Sequence, residues 1–145
     1  MEWTHSELID TPPEAVWSLA TGVADWPSYM PTVTSVELLD DGPLRLGSRA
    51  RIKQPGQRRA VWTVTRFEPG RTFTWQSARR GYTIAGTHTV VNEGAGCRNT
   101  LTLEMTGSLA PVVGRLLAPL MRRVLRTENA CFKGRAEQSA VPAGH

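Results

Sequence analysis

Acid–base chemistry near neutral pH has few candidate side chains in this sequence, and His88 is the first of them. Its imidazole titrates close to neutrality, and it shares one face of a predicted strand with Tyr82, Ile84, Gly86 and Val90. If that face is covered, His88 points into the interior. There it could transfer protons, or it could be a hydrogen-bonded core histidine, which is the commoner outcome.

Two further side chains are candidates for the same chemistry. Tyr82 lies on the predicted face that carries His88. Glu128 lies toward the apolar stripe of a predicted C-terminal helix, where burial would raise the pKa of its carboxyl and make it a proton acceptor. The alternative is that Glu128 lies at the edge of the stripe and reaches water or a neighbouring arginine. We therefore predict His88, Tyr82 and Glu128 as the catalytic candidates.

Metal and phosphate chemistry find little support in the residue spacing. The three histidines, at positions 5, 88 and 145, do not have metal-ligand spacing, so no metal site is predicted. The glycine-containing segment 94–96 has no strand–helix context of a phosphate-binding loop and is predicted to be a hairpin turn.

The two cysteines predict a reduced environment. Cys97 and Cys131 are too few and too far apart for a disulfide framework. We expect Cys97 to be an exposed thiol in the glycine-rich turn and Cys131 to be a core residue. The N-terminus lacks the order of a signal peptide, and no apolar run approaches the ~20 residues that span a bilayer. A cytoplasmic protein without integral membrane association is expected.

The length of the chain predicts one domain, and the distribution of its charge predicts no nucleic-acid partner. The chain has 145 residues, and we expect a single domain over 1–138 and a flexible tail over 139–145. Its net charge is +4, but the arginines are scattered over several segments without a nucleic-acid motif, so no nucleic-acid partner is predicted.

The elements that must position the candidates begin with a strand over 2–9. Thr11, Pro12 and Glu14 have the spacing of a capping box, with Thr11 as N-cap and Pro12 as the first helical residue. This helix is expected to end at Gly22. A second short helical turn is predicted over 24–29.

Between residues 33 and 106 the sequence changes to a period of two. Six strand-like runs are separated by turn residues, which predicts an antiparallel meander with one covered face. The predicted inward positions are Trp62, Val64, Phe73, Trp75, Ser77, Tyr82, Ile84, His88, Val90, Leu101, Leu103 and Met105.

The segment 111–137 predicts one long helix, kinked near Pro119. Because no other element is long enough to cover a seven-stranded sheet, and one helix cannot fill its concavity, a cavity is expected between them. The predicted buried stripe consists of Val113, Leu117, Leu120, Val124 and Cys131, flanked by Leu116, Met121 and Phe132.

Several segments in this order resemble the polyketide cyclase/dehydrase branch of the START-like (Bet v 1-like, SRPBCC) superfamily. They are the strand-to-helix entry 9–17, Trp26-Pro27, the turn 67–71 and the closing stretch 107–137. The resemblance implies an α+β helix-grip fold: a seven-stranded curved antiparallel sheet around a long C-terminal helix, with two short helices after the first strand and an internal cavity.

The same resemblance implies a hydrophobic small-molecule ligand but not one reaction. The first hypothesis is a cyclase, aromatase or dehydratase that works without a cofactor, on a polyketide-like substrate. The second is a non-catalytic carrier or sensor, and the third is an interaction module with a filled interior. A monomer or a homodimer is compatible with each. The predicted ligand-binding residues are Tyr29, Trp62, Trp75, Ser77 and Met105.

Overall fold

The protein is described from a computed structural model that covers residues 1–140. The first two residues of the predicted tail, 139 and 140, belong to the last helix, and the rest of that tail lies outside the described residues. In chain order the elements are β1 (Glu2–Ile9), α1 (Pro13–Thr21), a 3-10 helix (Val23–Ser28), β2 (Ser35–Leu38), β3 (Arg49–Lys53), β4 (Ala60–Glu68), β5 (Thr72–Arg79), β6 (Tyr82–Glu93), β7 (Gly96–Thr106) and α2 (Ala110–Ala140).

The strands form one antiparallel sheet in the order β1-β7-β6-β5-β4-β3-β2. Six of them follow one another as a meander, and β1 closes the far edge beside β7. Helix α2 packs mainly on β1 and β7. The helix therefore lies over the β1–β7 edge of the sheet and packs much less on β3, β4 and β5. This confirms the predicted helix-grip arrangement.

Alternation along the strands decides which side chains enter the interior, as predicted. In β3, Ala50 and Ile52 are buried between exposed or half-buried basic residues. Trp62 and Val64 are buried in β4, and Trp75 is buried in β5. Successive side chains of a strand point to opposite faces, so one covered face is enough to fix this pattern.

The first helix begins one residue later than predicted. Thr11 does not cap it: the N-cap is Pro12, no side chain caps the helix, and Thr11 is itself buried. The reason is Pro13, because a proline forces the residue before it into an extended conformation. Pro12 accordingly has ψ 149°, so it cannot be the first helical residue.

The predicted rotation of α2 about its own axis is also wrong. The residues that pack into the core are Met121, Leu125, Phe132 and Ala136, about a quarter turn from the predicted stripe. Predicted stripe positions such as Leu117 and Val124 are only half-buried, and Leu120 is exposed. The apolar arc of the helix is wider than the sheet can cover, so apolar periodicity alone does not locate the packed side.

A buried amide network sets this orientation. The side-chain amide nitrogen of Asn99 donates to Asn129 Oδ1 at 2.9 Å. The Asn129 amide nitrogen in turn lies 3.1 Å from the carbonyl oxygens of both His5 and Asn99, and 3.0 Å from His5 Nδ1. These contacts join α2 to β1 and β7. Because an unpaired buried amide is costly, they favour one rotation of the helix over others.

Cys97 is buried, not exposed as predicted. It lies at the start of β7, where it packs with Ile9, Val16, Val90 and Ala136 in a small second core cluster. The strand begins at Gly96 and thus earlier than the alternation suggested, so Cys97 shares the inward parity of Leu101 and Met105. Cys131 is half-buried.

Candidate functional site

A cavity of about 530 Å³ lies between the sheet and α2. This volume is within the range of small-molecule sites. Most of its wall is apolar or aromatic and comes from β4 to β7 and from α2. The side chains of its apolar wall include Trp26, Ile52, Trp62, Trp75, Ile84, Leu101, Leu103, Met105, Leu117, Met121, Val124 and Leu125.

Three tryptophans form a continuous aromatic wall. The ring of Trp75 lies 5.4 Å from that of Trp26, edge to face, and 5.7 Å from that of Trp62. Trp26 is fixed from behind, because its indole nitrogen donates to the Leu19 carbonyl oxygen at 3.0 Å. The indole nitrogen of Trp62 is buried without a hydrogen-bond partner. The wall therefore offers flat apolar surface together with one unused N–H donor.

Glu128 places a carboxyl group on the border of this cavity. Its Oε2 accepts a hydrogen bond from Thr32 Oγ1 at 2.8 Å. Glu128 is half-buried, and the desolvation of its carboxyl raises the pKa to about 7. Both protonation states are then populated near neutral pH, so one group can accept a proton and return it.

His88 belongs to the same wall, but it is packed among aromatic rings and is neutral. Its ring stacks on Phe73 at 4.7 Å and meets the edge of Phe132 at 5.8 Å. Its Nδ1 is buried without a partner. Burial lowers the pKa of His88 to about 3, so the ring is neutral over the physiological range.

Arg79 contributes a guanidinium to the border of the cavity. Its Nε donates to Ser77 Oγ at 3.2 Å, and one terminal nitrogen donates to Gln57 Oε1 at 3.4 Å. The group also lies 5.6 Å from the centre of the Trp62 ring, as in a cation–π contact. The remaining N–H groups can bind an oxygen of a ligand.

The structure brings six of the eight predicted site residues together on the cavity wall. These are Trp62, Trp75, Tyr82, His88, Met105 and Glu128. Ser77 and Tyr29 are not lining residues. Ser77 is buried beside Arg79. Tyr29 packs against Phe132, its hydroxyl is buried without a partner, and this burial raises its pKa.

Sequence reasoning missed Arg79, Thr32, Gln54 and Trp26. Arg79 had a usable signal, because it continues the inward parity of Trp75 and Ser77 to the end of β5. Thr32 and Gln54 had none: they meet through a hydrogen bond from the Gln54 amide to the Thr32 carbonyl oxygen at 3.4 Å, between segments distant in sequence.

Two features of residues 1–140 bear on metal binding and on membrane spanning. Within this range, no three His, Cys, Asp or Glu side chains cluster in a way that could hold a metal ion. None of the helices in it is long and apolar enough to cross a membrane.

Comparison with known proteins identifies the family of this chain. A search of proteins with curated descriptions finds no match. Among solved structures, the Zhui aromatase/cyclase from a Streptomyces species superimposes with a TM-score of 0.80 at 18% identity, covering 99% of this chain and 98% of that one. Norcoclaurine synthase from Thalictrum flavum, in complex with a transition-state analogue, gives 0.78 at 15% identity, with 97% and 96% covered.

A START superfamily protein from Mycobacterium smegmatis gives a TM-score of 0.76 at 16% identity, with 96% and 99% of the two chains covered. At these identities the structures show a shared fold. The family model described as polyketide cyclase/dehydrase and lipid transport matches residues 2–137. The chain therefore belongs to the polyketide cyclase/dehydrase and lipid transport family.

Proposed function

We propose that this protein is a cyclase-like enzyme that binds a hydrophobic carbonyl compound in the cavity and moves protons with Glu128. One observation carries the proposal: a carboxyl with a pKa of about 7 borders an aromatic cavity of about 530 Å³. A purely apolar container would not need to bury a carboxyl there, because doing so costs folding free energy.

The reaction class follows from what the cavity groups can do. The Glu128 carboxylate removes a proton from the carbon between two carbonyl groups, and the electrons move onto one carbonyl oxygen as an enolate. The enolate carbon attacks the carbon of a third, more distant carbonyl group of the same folded molecule, which forms a carbon–carbon bond and an alkoxide. Protonated Glu128 then returns the proton to the alkoxide oxygen. The cavity wall contributes by holding the chain folded.

Hydrogen-bond donors near the aromatic wall support the enolate. The unpaired indole N–H of Trp62 and the free N–H groups of Arg79 lie close together, since the guanidinium contacts the Trp62 ring. Donors placed where negative charge develops lower the barrier to its formation. Tyr82 borders the cavity too and is proposed to assist proton transfer. His88, neutral and stacked on Phe73, is proposed as part of the wall.

A carrier of a hydrophobic metabolite is the second candidate. The apolar majority of the lining favours it. Under this alternative Glu128 would hydrogen-bond a hydroxyl or amine of the cargo and no bond would form or break.

Benzoylacetone tests the proposal, because it contains one 1,3-dicarbonyl unit and an apolar ring. Binding is measured by quenching of tryptophan fluorescence. Catalysis is measured as the rate of keto–enol interconversion, followed by enol absorbance from pH 5 to 9. We expect saturable catalysis that rises through about pH 7 as Glu128 loses its proton. Glu128→Gln is expected to keep binding but lose about 100-fold in rate, the usual contribution of a general base.

Glu104→Gln is the matched control, since Glu104 is an exposed carboxylate on the outer face of β7. It is expected to behave as the wild type. Equal rates for wild type and Glu128→Gln would refute the assignment of Glu128. Saturable binding without any catalysed interconversion in the wild type would favour the carrier.

A further inference from the structure

The two ends of the sheet differ in charge. The β3–β4 and β5–β6 connections and the start of α2 meet at one end, which borders the cavity. We call this the cavity end and define it as residues 54–59, 79–82 and 107–123. These residues include no aspartate or glutamate, but Glu2, at the start of β1, borders the same end beside Arg122. Its arginines are Arg58, Arg59, Arg79, Arg80, Arg115, Arg122 and Arg123.

Three arginines toward the opposite end are paired with acids. Arg49 binds Asp40 at 3.3 Å, next to the β2–β3 loop. Arg98 binds Glu93 at 2.7 Å, next to the β6–β7 turn. Arg66 binds Glu68 before the β4–β5 turn. In the described part of the chain, no arginine of the cavity end forms an ion pair. The cavity end therefore carries more positive than negative charge, with Glu2 near Arg122 and Glu37 near Arg59 as the neighbouring acids.

An exposed apolar strip lies on the same end. Leu109, Val112, Leu116 and Leu120 are 48%, 60%, 75% and 44% exposed. Leu109 directly precedes α2, and the spacing of the other three places them on the same face of its first turns. They are four of the ten large apolar side chains that are exposed among the described residues. Leu120 also lines the cavity, so the strip reaches its rim.

The strip is held in place by a close contact beneath it. The Leu109 backbone N–H donates to the Gly81 carbonyl oxygen at 2.9 Å. Gly107 has φ 113°, and a Cβ there would lie 2.9 Å from that same oxygen. The apolar side chains therefore project from a fixed turn rather than from a loose segment.

Charge and apolar surface together select one class of partner. Clustered arginines beside exposed leucines match an interface with anionic lipids, where leucines enter the acyl region and arginines bind phosphate. A second copy of this chain would bring like charges together. Nucleic acid would bind the arginines but leave the leucines exposed. An acidic protein remains an outcome of the test below.

We propose that the cavity end docks on an anionic lipid bilayer through the strip Leu109, Val112, Leu116 and Leu120 and the surrounding arginines, with the cavity rim facing the lipid. This goes beyond the proposed function and does not depend on the reaction. Docking in this orientation would let a hydrophobic ligand move between the bilayer and the cavity without crossing water.

Vesicle sedimentation tests the docking. The full chain is mixed with phosphatidylcholine vesicles or with mixed phosphatidylcholine–phosphatidylglycerol vesicles, and the pelleted fraction is measured. We expect binding to the mixed vesicles that falls in about 0.5 M salt, because screening is then strong. Arg58→Glu should weaken binding at least about fivefold, since one arginine near such a surface is worth about 1 kcal/mol. Arg71→Glu, at the opposite end, should not.

Leu116→Ser tests insertion. Because the Leu116 side chain is 75% exposed, the substitution should leave the fold intact, and circular dichroism checks this. We expect at least a fivefold loss of binding. Leu46→Ser is the matched control, because Leu46 is 63% exposed in the β2–β3 loop, at the other end of the sheet. Failure of the wild type to pellet with the mixed vesicles would overturn the proposal in favour of an acidic protein. Equal losses in Leu116→Ser and Leu46→Ser would overturn the assignment of the surface.

Discussion

Replacing Glu128 by glutamine is expected to stabilise the protein at alkaline pH. The pKa of the carboxyl moves from 4.5 to about 7 on folding because burial disfavours its charge. The folded state thus holds this proton more tightly than the unfolded state. Ionising Glu128 therefore destabilises the fold between about pH 4.5 and 7, and the loss is complete above pH 7.

The magnitude follows from the two pKa values. At about 1.4 kcal/mol for each tenfold change in acidity, the folded state loses about 3 kcal/mol when Glu128 ionises. Glutamine has nearly the same size and keeps an oxygen that can accept the hydrogen bond from Thr32. Glu128→Gln should therefore exceed the wild type by up to about 3 kcal/mol at pH 8, and this difference should disappear near pH 4.5.

Urea denaturation of both proteins at half-unit steps from pH 4.5 to 8 measures the difference. Glu104→Gln, on the exposed outer face, is expected to follow the wild-type curve. A Glu128→Gln difference that is constant over this range would refute a raised pKa, and with it the role of Glu128 as a proton acceptor and donor near neutrality.

Three further substitutions test the packing of the fold, each by urea denaturation. Asn129→Ala should cost about 3 kcal/mol, because it leaves the buried Asn99 amide unpaired; a loss below 1 kcal/mol would show that the network does not hold α2. His88→Phe should gain about 3 kcal/mol over the wild type at pH 4 and little at pH 7. Below pH 6.5 the unfolded wild type takes up a proton at His88, while the folded state, where the pKa of His88 is about 3, does not, so the wild type loses stability as pH falls. Equal differences at both pH values would contradict this. Gly96→Ala should cost about 2 kcal/mol or more, since its Cβ would lie 2.3 Å from the Ile9 carbonyl oxygen; a neutral effect would show that β1 can move away.

The strands were predictable because each has one covered face. A period of two leaves a single choice of parity, and one large residue such as Trp62 or Phe73 settles it for the whole strand. The same reasoning placed Trp75, Met105 and His88 on the inner face. It went wrong for Cys97 only because the start of β7 was set too late.

Helix α2 shows why the rest was harder to predict. Apolar residues occupy more than half of its circumference, so their spacing fits several rotations. The deciding interaction is made by Asn129, a polar residue paired with Asn99 and His5, which lie far from it in sequence. The same limit applies to the site, where Thr32 meets Glu128 across 96 positions of the chain.

The amide network around Asn129 also lets different residues of α2 pack the helix against the fold and line the cavity. Phe132 and Ala136 pack α2 onto the rest of the fold, whereas Leu117 and Val124 face the cavity. Because polar contacts fix the rotation of the helix about its axis, the cavity-facing side chains contribute little to holding it in place. Substitutions there can reshape the ligand space while the scaffold stays assembled, so one sheet and one helix can accommodate successive changes of ligand during evolution.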